Sequence, residues 1–130
     1  MKVHHYGLAT KSITKSVKMF RALGYSECSD VIFDPLQGVN LLFLKNENDH
    51  LIELVEPAEA ENPVSKILAK SGSSLYHICY EIDNIDEKIE ELKQQRFTQI
   101  MPPTPAIAFD GRKICFFYNS TLGLIELLER

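Results

Sequence analysis

Apolar and polar residues alternate over His4–Thr10 and again over Leu75–Asp83, the period-two signature of a half-buried strand. Behind each strand the period changes. Ile13, Val17, Phe20 and Leu23 form one helical stripe, and Ile85, Ile89 and Leu92 form another. Ser12 and Asn84 supply N-cap oxygens, and only the second, with Glu87 three residues on, resembles a capping box. Gly24 marks the end of the first helix; Arg96 stands at the same place in the second, a weaker stop. Three strands are predicted after each helix, at 26–33, 39–46 and 50–56, then at 97–101, 112–118 and 123–129. Between the halves, 57–74 holds Pro57, Pro63 and Gly72 and reads as a linker, with a short helix over Val64–Lys70. Pro102, Pro103 and Pro105 end a strand and open a long loop to Phe109, suited to act as a lid.

The second half of the chain repeats the pattern of the first. Residues 38–56 align without a gap on 111–129, with eight of nineteen positions identical: Gly38/Gly111, Phe43/Phe116, Asn46/Asn119, Leu51/Leu124, Ile52/Ile125, Glu53/Glu126, Leu54/Leu127 and Glu56/Glu129. Upstream, at an offset of 72, His5 matches His77, Val17 matches Ile89 and Tyr25 matches Phe97. Such self-similarity predicts an α+β fold of two tandem βαβββ modules, about 1–60 and 75–130, in a single domain of 1–130. The modules are expected to form a curved eight-stranded sheet, with helices outside and a concave face within.

Composition narrows the partners. With 130 residues, 45% hydrophobic and 25% charged, the chain has the makeup of one globular domain. A net charge of −4 without a basic run speaks against nucleic acid as the main partner. No apolar stretch approaches the roughly 20 residues of a membrane span, and no signal peptide is apparent. Cys28, Cys79 and Cys115 form no CxxC, so a reduced, cytoplasmic protein with inert thiols is expected.

Strand alternation then selects the chemistry. Ile78, Tyr80 and Ile82 belong under the helix, which turns His77, Cys79 and Glu81 to the other face; on the first strand His5, Gly7 and Ala9 share that face. Glu53 lies between Leu51 and Val55, and Glu126 between Leu124 and Leu128. A carboxylate set among apolar neighbours is costly to bury unless it is paired or bound to a cation. His5 and Glu53 are 48 residues apart, His77 and Glu126 are 49. Taken singly, a strand histidine or glutamate is more often structural. As a repeated pair, His5, Glu53, His77 and Glu126 make a 2-His-2-Glu set suited to one divalent ion: Zn, Ni, Co, Mn or Fe. His4 faces the opposite way and is read as structural, and His50 as solvated. Lys66, Lys70, Arg112 and Lys113 are candidates for the acidic tail of a cofactor, though a solvated surface explains each.

At these motifs the chain resembles the vicinal oxygen chelate superfamily, the glyoxalase and bleomycin-resistance fold, over essentially its whole length. The residues that carry the resemblance are His5–Ala9, Ile52–Pro57, Tyr76–Glu81 and Leu124–Glu129. Within the superfamily it looks most like methylmalonyl-CoA epimerases, through Asn62–Gly72 and the Gln37-Gly38-Val39 turn. It departs from many of them at Leu36 and Glu53, where they carry glutamate and glutamine, and at His4 and Tyr118-Asn119.

The resemblance implies metal ligation by His5, Glu53, His77 and Glu126. It further implies proton transfer next to a carbonyl, with the resulting enediolate stabilised by the metal charge. By the same analogy Glu126 is the first candidate for general base and Glu53 the symmetric one. The function expected is that of a metal-dependent isomerase or lyase, of methylmalonyl-CoA epimerase or lactoylglutathione lyase type. Its substrate would be a small molecule, an acyl thioester among the candidates, and the chain a homodimer. The alternatives are a non-catalytic protein that binds a small, antibiotic-type molecule, and an iron-dependent dioxygenase. A complete ligand set opposes the first, and the second carboxylate opposes the other.

Overall fold

A computed structural model describes residues 1–130. The chain forms two compact units, His5–Tyr76 and Met1–His4 together with His77–Arg130.

The unit His5–Tyr76 contains β1 (Lys2–Ala9, from His5 onward), α1 (Ile13–Arg21), β2 (Ser26–Glu27), β3 (Ile32–Asp34), β4 (Val39–Lys45), β5 (Leu51–Pro57) and α2 (Pro63–Ser71). Its strands run β2-β4-β5-β1, with β3 also on β4. β1 and β5 are parallel, with Gly7 opposite Glu53; β4 and β5 form an antiparallel hairpin. The core lies between α1 and the sheet: Ile13 and Val17 pack on Leu42, Leu44, Ile52 and Leu54, with Phe20 at the margin. Leu23 departs from the expected stripe. The helix ends before it, at the Ala22 cap, and Leu23 is exposed.

The other unit contains β6 (Ser74–Ile82, from His77 onward), α3 (Ile85–Gln94), β7 (Thr98–Gln99), β8 (Thr104–Pro105), a 3-10 turn (Ile107–Phe109), β9 (Lys113–Asn119) and β10 (Gly123–Glu129). Its order is β6-β10-β9-β7, with β8 also on β9. β6 and β10 are parallel, with Cys79 opposite Glu126. Ile82, Ile85, Ile89, Leu92, Cys115, Phe117, Ile125 and Leu127 form the core under α3.

The repeat is thus a repeat of structure, and the α+β class with helix-covered βαβββ halves is as expected. Most of the identities have visible work. Glu56 accepts a hydrogen bond from Ile13 N at 2.8 Å and Glu129 accepts one from Ile85 N at 2.9 Å, so the last strand of each half anchors the start of its helix. Asn46 and Asn119 each take two backbone N–H groups at their hairpins. Gly38 and Gly111 both have positive φ. Helix ends repeat as well: Tyr25 N donates to Phe20 O and Phe97 N to Leu92 O, around Gly24 at φ 87° and Arg96 at φ 66°. The two N-caps, Ser12 and Asn84, accept from the third residue onward in both halves.

Three expectations change. The strand predicted at 26–33 is two short strands, because the Ser29 hydroxyl takes the Phe43 N–H that a continuous ladder would use. The strand at 97–101 shrinks to Thr98–Gln99. The chain then returns to β9 at Thr104–Pro105, where an edge position tolerates proline. Each half therefore has five strands rather than four. The proposed lid over Pro102–Phe109 is tied down: Ala106 N donates to Arg112 O and Phe109 is buried. Within 57–74 the short helix expected over Val64–Lys70 forms as α2, Pro63–Ser71. Asn62 caps α2 and donates to Gln37 O and Gly38 O, fastening that helix to the turn after β3.

Candidate functional site

Each half builds the same pair. In the unit His5–Tyr76, His5 stands on β1 two residues before Gly7, the residue opposite Glu53 on β5. Both side chains leave the sheet on the face away from α1, and His5 Nε2 lies 3.7 Å from Glu53 Oε1. In the other unit His77 stands two residues before Cys79, which is opposite Glu126, and His77 Nε2 lies 3.2 Å from Glu126 Oε2. The imidazoles have no exposed side-chain surface, and the carboxylates only 7% and 3%. Burial this deep would be unfavourable for an ionised carboxylate without a cation or several donors close by.

A phenyl ring backs each imidazole. Phe43 lies edge-on to His5 with ring centroids 5.6 Å apart, and Phe116 lies edge-on to His77 at 5.4 Å. The second torsion of histidine is soft, so a perpendicular ring wall selects an orientation that the rotamer alone leaves open. These phenylalanines are residues whose role sequence reasoning missed. Their signal was present, since Phe43/Phe116 is one of the repeated identities.

The donor spacing fits a chelated ion. A four- or six-coordinate ion with bonds of about 2.1 Å separates neighbouring donors by about 3.0 to 3.4 Å. The His77–Glu126 pair falls within that range, and His5–Glu53 needs to close by a few tenths of an ångström. Imidazole nitrogen and carboxylate oxygen, one ligand atom from each residue, suit the first-row divalent ions better than Ca²⁺ or a soft thiophilic ion.

Neighbouring candidates resolve differently. His4 packs edge-on against Phe109 at 5.5 Å, which agrees with a structural role. His50 is exposed, as are Lys66, Lys70 and Lys113. Arg112 is committed elsewhere: it donates to Glu81 Oε2 at 2.7 Å and to Glu129 O at 2.8 Å. Its guanidinium holds the Glu81 carboxyl below the ordinary glutamate range. Cys79 and Cys115 are buried and form no disulfide, and burial pushes the Cys115 thiol up, away from reactivity. Cys28 is exposed, and partial burial raises its thiol too. No helix is long and apolar enough to cross a membrane.

Each half of this doubled βαβββ fold carries a buried histidine on its first strand and a buried glutamate on its last. The chain belongs to the Glyoxalase/Bleomycin resistance protein/Dioxygenase superfamily, whose model matches residues 4–116. Among curated relatives, a mitochondrial methylmalonyl-CoA epimerase of Dictyostelium discoideum is 28% identical, over 99% of this chain and 78% of its own length. Among solved structures, a hypothetical protein of Bacillus halodurans C-125 superposes with a TM-score of 0.87 at 28% identity, covering 99% of this chain and 94% of that one. A Streptomyces coelicolor methylmalonyl-CoA epimerase variant in complex with 2-nitronate-propionyl-CoA shares the fold. Its TM-score is 0.84 at 22% identity, over 99% and 96% of the two chains.

Proposed function

We propose that this chain is an epimerase of the superfamily. It would move the proton on the carbon next to the thioester carbonyl of a short branched acyl-CoA, with methylmalonyl-CoA the substrate to test first. The observation that carries the reading is the duplicated buried imidazole–carboxylate pair, in a chain that matches a methylmalonyl-CoA epimerase over nearly all its length. In this reading His5, Glu53, His77 and Glu126 together hold one divalent ion, two ligands from each half. When bound, that ion supplies positive charge against a carbonyl oxygen and lowers the cost of removing the neighbouring proton.

The chain's own residues do the rest. His5 and His77, each backed by a phenyl ring, fix the nitrogen donors. Glu126 is the first candidate to take the proton, and Glu53 the matching carboxylate from the other half. Removal by one and return by the other, on opposite faces of the carbon, inverts the centre. Removal and return by the same group on the same face leaves it unchanged.

A second reading, a lyase acting on a hemithioacetal, draws on Glu53, which stands where many epimerases carry glutamine. Incubation in heavy water separates the two. Epimerase action predicts deuterium at C2 of methylmalonyl-CoA and loss of its chirality, with the methylglyoxal–glutathione hemithioacetal unchanged. Conversion of the hemithioacetal alone overturns the epimerase in favour of the lyase. Inertness towards both, with both compounds bound, makes the chain a binding protein.

A further inference from the structure

The half that holds His77 and Glu126 carries exposed apolar side chains beside them that the other half lacks. Strand register sets out the rows. Glu126 on β10 is opposite Phe116 on β9, and Phe116 O accepts from Ile100 N at 2.8 Å, just beyond β7. His77 on β6 is opposite Leu124, and Leu124 is opposite Tyr118, which pairs in turn with Thr98. Gln99 turns toward α3, where its Nε2 donates to Cys115 Sγ in the core. Alternation therefore puts Ile100 on the face away from α3, with Phe116, Tyr118, Leu124 and Glu126. Ile100 is 55% exposed there and Tyr118 47%.

Neither residue is loosely held. Beyond the bond to Ile100 N, the carbonyl of Met101 accepts from Gln99 Nε2 at 3.0 Å and from Cys115 Sγ at 3.1 Å. Tyr118 stands between Leu124 and Thr98 in the sheet. Two apolar side chains are thus fixed in water on an ordered floor, and covering them is favourable. The other half serves as a control. There Phe43 O accepts from Cys28 N at 2.9 Å, so Cys28 stands where Ile100 does. Lys45 stands where Tyr118 does in the alignment of 38–56 on 111–129, and it is paired with Asp49 at 2.9 Å. The same strands form with a thiol and an ammonium at these two places, so the isoleucine and the tyrosine are not needed to build the sheet.

We infer that Ile100 and Tyr118 receive a hydrocarbon branch of the substrate, and that this branch is longer than a methyl group. Neighbouring strands lie about 4.8 Å apart, so the backbone at Ile100 is about 10 Å from that at Glu126, and Tyr118 is as far from His77. A methyl group on a carbon within reach of Glu126 does not span that distance. A chain of several methylenes laid along the rows, over Phe116 and Leu124, does. The pantetheine arm of a CoA thioester carries amide groups, and Ile100 offers them no partner. An alkylmalonyl thioester with an extended alkyl chain is the substrate class that covers the pair. The inference rests on the epimerase reading and sets the length of its branch. Ile100 and Tyr118 determine specificity in it and take no part in proton transfer.

Calorimetric titration of the full chain as purified tests it, with methylmalonyl-CoA and hexylmalonyl-CoA as probes and deuterium exchange at C2 followed on both. The wild type is expected to bind hexylmalonyl-CoA at least about tenfold more tightly than methylmalonyl-CoA. The double variant Ile100→Cys/Tyr118→Lys copies the residues of the other half, and is expected to bring that ratio to within about twofold of unity. Circular dichroism confirms its fold, and Tyr118→Ser alone, read by the same ratio, replaces it if the double variant does not fold. A wild type without preference for hexylmalonyl-CoA overturns the inference, as does a preference that survives in the variant. Equal weakening of both thioesters overturns it too, because the pair then holds the arm common to both. A preference for hexylmalonyl-CoA without deuterium exchange in either compound supports the alkyl site and overturns the epimerase reading, so the two failures are distinct.

Discussion

Glu56 and Glu129 are the joints of the two halves, and removing either gives a sharp prediction. Each carboxylate lies three residues beyond a proposed ligand on the same strand, Glu53 or Glu126, and reaches through to the start of the helix on the far face. Each accepts a backbone N–H at 2.8–2.9 Å. A hydrogen bond to a charged group contributes about 1.5–3 kcal/mol, and an anion at a helix start adds about 0.3–1 kcal/mol. Both carboxylates are part-buried, so about 2 kcal/mol is expected for each alanine substitution. An unfolding entropy of about 2.1 cal/mol/K per residue gives about 270 cal/mol/K for this chain, which converts the loss into a fall in Tm of about 7 °C. Glutamine keeps the acceptor and loses the charge, so Glu56→Gln and Glu129→Gln should fall by only about 2–3 °C. Scanning calorimetry reads the melting point. Hydrogen exchange at the Ile13 and Ile85 amides reads the bond itself, with the alanine variants losing protection locally. An alanine variant that melts within about 1 °C of wild type, or that leaves its amide as protected as before, refutes the anchoring role.

The remaining predictions follow from single features. Arg96→Gly relieves a left-handed backbone at an exposed helix exit where the first half has Gly24. It should stabilise the chain by about 0.5–1 kcal/mol in denaturant unfolding. Gly38→Ala should cost about 1–3 kcal/mol, since φ is +65° and a Cβ would stand 3.1 Å from Asn62 Nδ2, which is held by two carbonyls. Glu81 is depressed by its bond to Arg112. It therefore contributes stability that is complete above the unfolded value of about 4.3 and is lost as pH falls through the lower folded value. Arg112→Ala should flatten that acid limb of the stability–pH curve while changing little of its slope above pH 5.

The pairing of His5 with Glu53 and of His77 with Glu126 is legible in the sequence because strands alternate with a period of two and because the chain states each pair twice. Helix stripes and the Gly24 and Arg96 exits are legible for similar reasons, being local. What escapes is decided by contacts far apart in the chain. Ser29 interrupts a strand only because it captures the Phe43 amide from fourteen residues away. Pro102 and Pro103 look like the start of a free loop, yet β9 supplies an edge on which Thr104 and Pro105 can pair. Arg112 reads as a surface charge until Glu81, thirty-one residues away, is seen to accept from it. Asp34 shows the same limit: it is buried at 3% exposure and holds the turn by accepting from Leu36 N, Gln37 N and Gln37 Nε2, a set of partners that exists only once the turn is made.

The most direct test of the metal-dependent reading is the content and affinity of divalent metal in the untagged wild type beside Glu126→Gln. Plasma mass spectrometry after gel filtration and calorimetric titration of the stripped protein supply both numbers. The account predicts one ion per chain in the wild type, bound at least tenfold more weakly when the carboxylate is replaced by its amide. A folded wild type that takes up no divalent ion would contradict it.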